Sequence, residues 1–165
     1  MPVYEYVGPP DIKEGIPLRG GHRVQSTQDL DAFLAARDQD ELSQPFTFVI
    51  DMSHTLLLAP RRSEHVACAG GNTVLAAGEM GFTRSSGRWS ATYISNQSTG
   101  YCPGNASWPT VESCLGHVGI YCGTGFTHPI TFRHCSACRE WNTVKDCHFV
   151  CVFCDGDLSR EELPR

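Results

Sequence analysis

The 165-residue sequence lacks the run of roughly 18 or more apolar residues that a membrane-spanning helix needs. Its first residues, MPVYEYVGPP, also lack the basic start and apolar stretch of a signal peptide. Hydrophobic residues make up 41% and charged residues 19%, which is typical of a soluble globular protein. We therefore expect a cytoplasmic protein with no membrane partner.

The sequence also has no excess of positively charged residues. The formal net charge is −5, so the whole molecule lacks the positive field that nonspecific nucleic-acid binding requires. Common catalytic signatures are also absent: the sequence has no GxSxG, Walker A, GxGxxG or HExxH pattern. The zinc-deaminase pattern is excluded because no histidine is followed two residues later by glutamate.

The pattern of turn and apolar residues divides the chain into four segments. Prolines and a Gly-Gly pair near the start predict an irregular N-terminal arm, residues 1–25, with little regular structure. Ser26 has the features of a helix cap, which predicts a helix over 26–38. We assign 26–130 to a β-rich α+β domain, 131–160 to a zinc ribbon and 161–165 to a tail.

Short runs with strand character occupy 46–50, 54–58, 73–77 and 88–94 and are separated by turn residues, as in an antiparallel meander. In the last run, Trp89, Ala91 and Tyr93 are predicted to share one face. A second helix is expected to start after Ser107 and to stop at Gly119. Its predicted buried stripe is Val111, Cys114, Leu115 and Val118. The fold class is therefore α+β, mostly an antiparallel meander with about two helices.

Nine cysteines are unusual for a cytoplasmic chain, and four of them form two CxxC pairs separated by twelve residues. The predicted ligands are Cys135, Cys138, Cys151 and Cys154. Four thiolates on two tight turns suit a structural Zn²⁺ ion and leave no open position for chemistry. Ribbon strands are expected at 141–144 and 148–150.

Some alternatives at this site stay open. Cys147, His134 or His148 could replace one of the four cysteines, because each lies close to them in the sequence. A rubredoxin-like iron site would use the same four thiolates.

A second site is suggested by polar residues upstream. Glu79 lies in an apolar stretch, and His65 is expected on a neighbouring strand, so these two and Tyr101 are catalytic candidates. The polar loop after the fourth strand makes Asn96, Ser98 and Tyr101 candidate ligand-binding residues. The alternative is structural: Glu79 would have an ion-pair partner, and the loop residues would build turns.

Three segments together resemble a group of uncharacterised small bacterial proteins: LAAGE at 75–79, SNQSTGYCP at 95–103 followed by SWP, and the CxxC…CxxC ribbon. The resemblance covers about residues 45–160. It implies the zinc ribbon, and it carries no activity because none is established for the group. A fainter similarity joins the AAGE element to bacterial toxin-like proteins with an Asn-x-Ser-Gly-His-Tyr segment, from which this chain departs because Gly100-Tyr101 lacks the histidine.

Three functions follow as hypotheses. The first is a protein-interaction or regulatory module with a protein partner, in a bacterial regulatory or defence complex. The second is an enzyme or ligand-binding domain for a nucleotide or modified protein, with a pocket around Glu79 and the loop 96–101, where Cys102 could be a nucleophile. The third is nucleic-acid binding by the ribbon, which is disfavoured because residues 139–165 contain four Arg or Lys and six Asp or Glu.

Overall fold

The computed structural model describes all residues, 1–165, and shows an α+β fold with a five-stranded antiparallel sheet and a two-stranded C-terminal sheet. The helices are α1 (Pro10–Gly15), α2 (Thr27–Ala35), α3 (Gln39–Leu42), α4 (His65–Cys68) and α5 (Trp108–Val118). The strands are β1 (His22–Val24), β2 (Phe46–Asp51), β3 (Leu56–Ala59), β4 (Val74–Ser85), β5 (Arg88–Ser95), β6 (Thr131–His134) and β7 (Trp141–Val144). The predicted fold class is confirmed. None of these helices has the length and apolarity that crossing a lipid bilayer requires.

The large sheet has the strand order β1-β3-β2-β4-β5, and every neighbouring pair is antiparallel. Two hairpins, β2–β3 and β4–β5, form as the turn pattern predicts. The connection from β3 to β4 passes through α4, so that β4 pairs with β2 and not with β3. β2 is consequently the central strand, and all its residues from 46 to 50 are buried.

Apolar side chains cover both faces of this sheet. On one face Phe48 and Ile50 pack with Leu30, Val111 and the rest of a 19-residue core that includes α2 and α5. On the other face a ten-residue core contains the arm, α4 and the loop after β5. Its members are Tyr4, Val49, Leu57, Ala59, Val66, Cys68, Ala69, Val74, Ala77 and Tyr101. A strand buried on both sides explains why four of the five residues 46–50 are apolar. The exception, Thr47, is buried with its hydroxyl donating to the Arg61 and Ser63 carbonyls.

The two longer helices agree with the capping signals. Ser26 caps α2 by accepting a hydrogen bond from the Asp29 backbone at 3.2 Å. In α5 the predicted stripe is buried, and Gly119 ends the helix with a φ of 93° that favours glycine. Ser107 differs from the prediction, because its hydroxyl donates to the Gly104 carbonyl and accepts no hydrogen bond from the first backbone N–H groups of the helix.

The N-terminal arm has more regular structure than the sequence predicts. It contains α1, and β1 adds to the edge of the large sheet beside β3. Tyr4 is 1% exposed and its backbone pairs with Val74. Its prolines and glycines therefore shape an arm that packs onto the sheet.

Strand boundaries differ where local irregularities occur. The predicted strand 54–58 starts later, because His54 has a φ of 60° and belongs to the β2–β3 turn. In β5 the pairing shifts between Gly81 and Phe82 of the partner strand, which breaks the alternation of faces. Ala91 and Ile94 therefore both enter the core, whereas Tyr93, which is predicted to share the face of Ala91, does not.

Candidate metal centre

The four predicted cysteines converge at the C-terminal sheet. Their sulfur atoms all lie within 4.8 Å of one another, and they form the group of side chains that could hold a metal ion. The Sγ atoms are 3.6 Å apart for Cys135 and Cys154 and 3.5 Å apart for Cys138 and Cys151. A tetrahedral zinc with Zn–S bonds of about 2.3 Å requires sulfurs about 3.8 Å apart. The cluster therefore has nearly the dimensions of a closed tetrathiolate site.

Both CxxC turns have the same backbone geometry. The Arg139 backbone donates to the Cys135 carbonyl at 2.8 Å, and the Asp155 backbone donates to the Cys151 carbonyl at 3.0 Å. Each of these residues follows the second cysteine of its pair and has a left-handed φ, 65° for Arg139 and 61° for Asp155. The two turns thus have the same conformation, and each turn directs two sulfur atoms toward a common centre.

Asn142 supports the second turn, and the cysteine pattern gives no signal for it. It is 3% exposed, its side-chain amide donates to Cys151 Sγ at 3.3 Å, and its side-chain oxygen accepts from the Val152 backbone at 2.9 Å. Burial opposes ionisation of Cys151, but hydrogen bonds from the Phe153 backbone and Asn142 outweigh it and lower the pKa of this thiol to about 6. Thiolate is the form that binds a metal, so these donors favour metal binding.

The alternative ligands lie outside the cluster. Cys147 and His148 are exposed, and the His134 ring packs against Trp141 with ring centroids 5.2 Å apart. Of the two predicted ribbon strands, 141–144 is confirmed as β7, whereas residues 148–150 form no strand. β7 pairs instead with β6, which precedes the first cysteine pair. The only pairing near 148–150 is an isolated bridge from Val150 to Asp157.

The three catalytic candidates each have a structural partner. Glu79 forms an ion pair with Arg61 at 3.2 Å, and its side chain is 14% exposed. His65 hydrogen-bonds through Nε2 to the Gly78 carbonyl at 2.8 Å, and burial lowers its pKa. The Tyr101 hydroxyl donates to the Asn72 carbonyl at 2.7 Å. None of the three lines any of five surface clefts with volumes of 150–490 Å³.

The candidate ligand-binding loop is buried. Asn96 is 0% exposed; its amide donates to the carbonyls of Pro103 and Ile130, and its carbonyl accepts from the Ile130 backbone. Ser98 is 1% exposed and accepts from the Tyr101 backbone. This geometry matches the structural alternative, in which the loop joins β5 to the chain that enters the ribbon.

A cleft of about 480 Å³ lies between α5 and the β2–β3 turn and is lined by His54, Cys114 and His117 among others. Cys114 donates to the His54 carbonyl, and burial raises its pKa to about 11, so this thiol is protonated at neutral pH. Burial likewise raises the pKa of Cys102 to about 12, and its thiol donates to the Thr99 carbonyl. Neither cysteine is activated as a nucleophile.

Comparison of the chain with protein-family models, curated proteins and solved structures finds no match. The functional argument therefore depends on the geometry of the site alone.

Proposed function

We propose that this protein is a zinc-stabilised protein-interaction module whose ribbon presents an apolar tip to a protein partner. The observation that carries the proposal is the exposure of two neighbouring large side chains, Val152 at 75% and Phe153 at 63%. They occupy the two positions between the ligands of the second CxxC turn. A metal bound behind them would make this turn rigid, so a partner would not have to order it on binding.

The chemistry of the cluster supports a structural ion. Four thiolates complete a tetrahedral shell, so no coordination position remains for a substrate or an activated water. The four cysteines would hold the ion, and Asn142 would support them through its hydrogen bond to Cys151 Sγ. The ribbon is too small to be stable through its three-residue core of Cys135, Cys151 and Leu158 alone. Zinc is the ion proposed, because four thiolates on two CxxC turns are the typical ligand set of a structural zinc site.

The surroundings of the tip indicate the chemistry of the partner. Asp155 and Asp157 lie two and four residues after Phe153, and the ribbon and tail contain more acidic than basic residues. A protein surface with an apolar pocket bordered by Lys or Arg would complement this tip. Nucleic acid would be repelled by the same charges, which favours the interaction hypothesis over the third hypothesis.

The test is capture of partners from a lysate of the source organism with three full-length baits. These are the unchanged protein, Val152→Ser/Phe153→Ser, and Met52→Ser, which removes another exposed apolar side chain (52% exposed) outside the ribbon. We expect a saturable partner that Met52→Ser retains and the double variant loses at least tenfold. Equal capture of the same proteins by all three baits would contradict the proposal.

A further inference from the structure

The segment from Ser159 to Arg165 connects the ribbon back to the large sheet domain through two charged side chains. The Glu162 carboxylate accepts hydrogen bonds from the backbone of Asn105 at 3.1 Å and of Ala106 at 3.4 Å. The Arg165 guanidinium donates to the backbone carbonyls of Tyr101 and Cys102. Backbone groups of the large domain thus bind both charged side chains, the Glu162 carboxylate and the Arg165 guanidinium, which lie three residues apart.

Gly104 makes room for the carboxylate. A Cβ atom placed on Gly104 would lie 1.5 Å from Glu162 Oε1, and the three atoms nearest to it, out to 3.0 Å, all belong to Glu162. Any side chain at position 104 would therefore exclude the carboxylate from the Asn105 and Ala106 amides without a clash with the backbone.

Two aromatic rings form the other half of the surface. The Arg165 guanidinium carbon lies 3.8 Å from the ring centroid of Trp141 in the ribbon and 5.1 Å from that of Tyr4 in the arm. Tyr4 is 1% exposed, yet its hydroxyl has no hydrogen-bond partner, although it lies near the Gly104 backbone and the Ser107 side chain. The Tyr4 hydroxyl therefore faces the same Gly104–Ser107 segment whose backbone receives the Glu162 carboxylate.

The segment is held in a way that permits its release. Residues 159–165 form no backbone-to-backbone hydrogen bond, and residues 161–165 are all exposed. Clefts of about 310 Å³ and 400 Å³ flank the segment, and Glu162 to Arg165 line both. Side-chain contacts alone therefore fix its last four residues.

We infer that Gly104–Ala106, Tyr4 and Trp141 form a recognition site for a partner-protein peptide that carries a carboxylate and, three residues later, a guanidinium. The chain's own Glu162–Arg165 fills this site in the free protein and so inhibits it. The site is separate from the Val152–Phe153 tip, so the two proposals can fail independently.

The experiment uses a fluorescently labelled, end-capped peptide with the sequence SREELPR, residues 159–165. Fluorescence anisotropy measures its binding to the unchanged protein and to full-length Glu162→Ala/Arg165→Ala, which lacks the competing side chains. Because the tethered segment competes at a high effective concentration, we expect at least tenfold tighter binding to the double variant. A peptide with glutamine in place of the second glutamate should bind at least tenfold more weakly.

Equal affinity for both proteins, equal binding of the glutamine peptide, or no binding at millimolar concentration would each overturn the inference. Gly104→Ala provides an independent measurement, with Gly123→Ala as its control because a Cβ at position 123 contacts nothing within 4 Å. Trypsin cleavage after Arg160 should be at least tenfold faster in Gly104→Ala than in the control. Equal cleavage rates would overturn the inference, because they would show that the position of the Glu162 carboxylate does not depend on the space at Gly104.

Discussion

Replacing Asn96 with alanine tests whether the polar loop is structural. Asn96 is 0% exposed and makes three hydrogen bonds to backbone groups, at 2.8 Å to Pro103, 2.8 Å to the Ile130 carbonyl and 2.7 Å from the Ile130 N–H. Alanine leaves all three groups without a partner, at a cost of about 1–3 kcal/mol each for buried groups. Allowing for partial relaxation, we expect the free energy of unfolding to fall by about 3–5 kcal/mol, a large fraction of the roughly 5–15 kcal/mol of a typical domain.

Urea unfolding followed by far-UV circular dichroism, in buffer with excess zinc, measures this change. Asn105→Ala is the matched control because Asn105 is exposed and its side chain forms no hydrogen bond, so its effect should stay within about 0.5 kcal/mol. A loss below about 1 kcal/mol for Asn96→Ala would refute the structural role and return Asn96 to the candidate ligand-binding residues.

Further predictions concern the zinc affinity of the ribbon, the packing of the large sheet and the pH dependence of stability. Asn142→Ala removes the hydrogen bonds to Cys151 Sγ and the Val152 backbone, so zinc affinity measured by chelator competition should fall about 10–100-fold. Gly78→Ala places a Cβ 1.9 Å from the Ser95 carbonyl oxygen, so thermal unfolding should show a loss of several kcal/mol, or no folded protein, whereas Gly15→Ala should have little effect. Burial lowers the pKa of His65 below 6.5, so the unfolded chain binds its proton more readily. The stability that neutral His65 contributes is complete above about pH 6.5 and should decline as the pH falls to 5; urea titrations should show a smaller decline for His65→Gln.

The sequence predicts those features that depend on short-range patterns. Two CxxC pairs identify the cluster of four cysteines because each tight turn brings its own two sulfurs together. The stripe of α5 and the cap of α2 depend on spacing within one helix, and both are present. The antiparallel sheet follows from alternating short runs and turn residues.

Features that depend on contacts between distant residues are not visible in the sequence. Asn142 and Asn96 are both polar residues in strands or loops, and only the fold shows that one supports Cys151 and the other binds Ile130 across 34 positions. The bulge opposite Gly81 shifts the buried face of β5, which no alternation pattern predicts. The need for glycine at position 104 is likewise not visible in the sequence, because it arises from the Glu162 carboxylate that the fold places beside it.

Metal analysis of the purified protein, combined with cysteine alkylation under native conditions, addresses the ribbon directly. We expect zinc at about one equivalent per chain, with Cys135, Cys138, Cys151 and Cys154 protected from alkylation and exposed Cys147 modified. Removal of the ion by a chelator should expose the four thiols and destabilise the ribbon. Folded protein that contains no metal, and in which all four thiols react as fast as Cys147, would contradict the account.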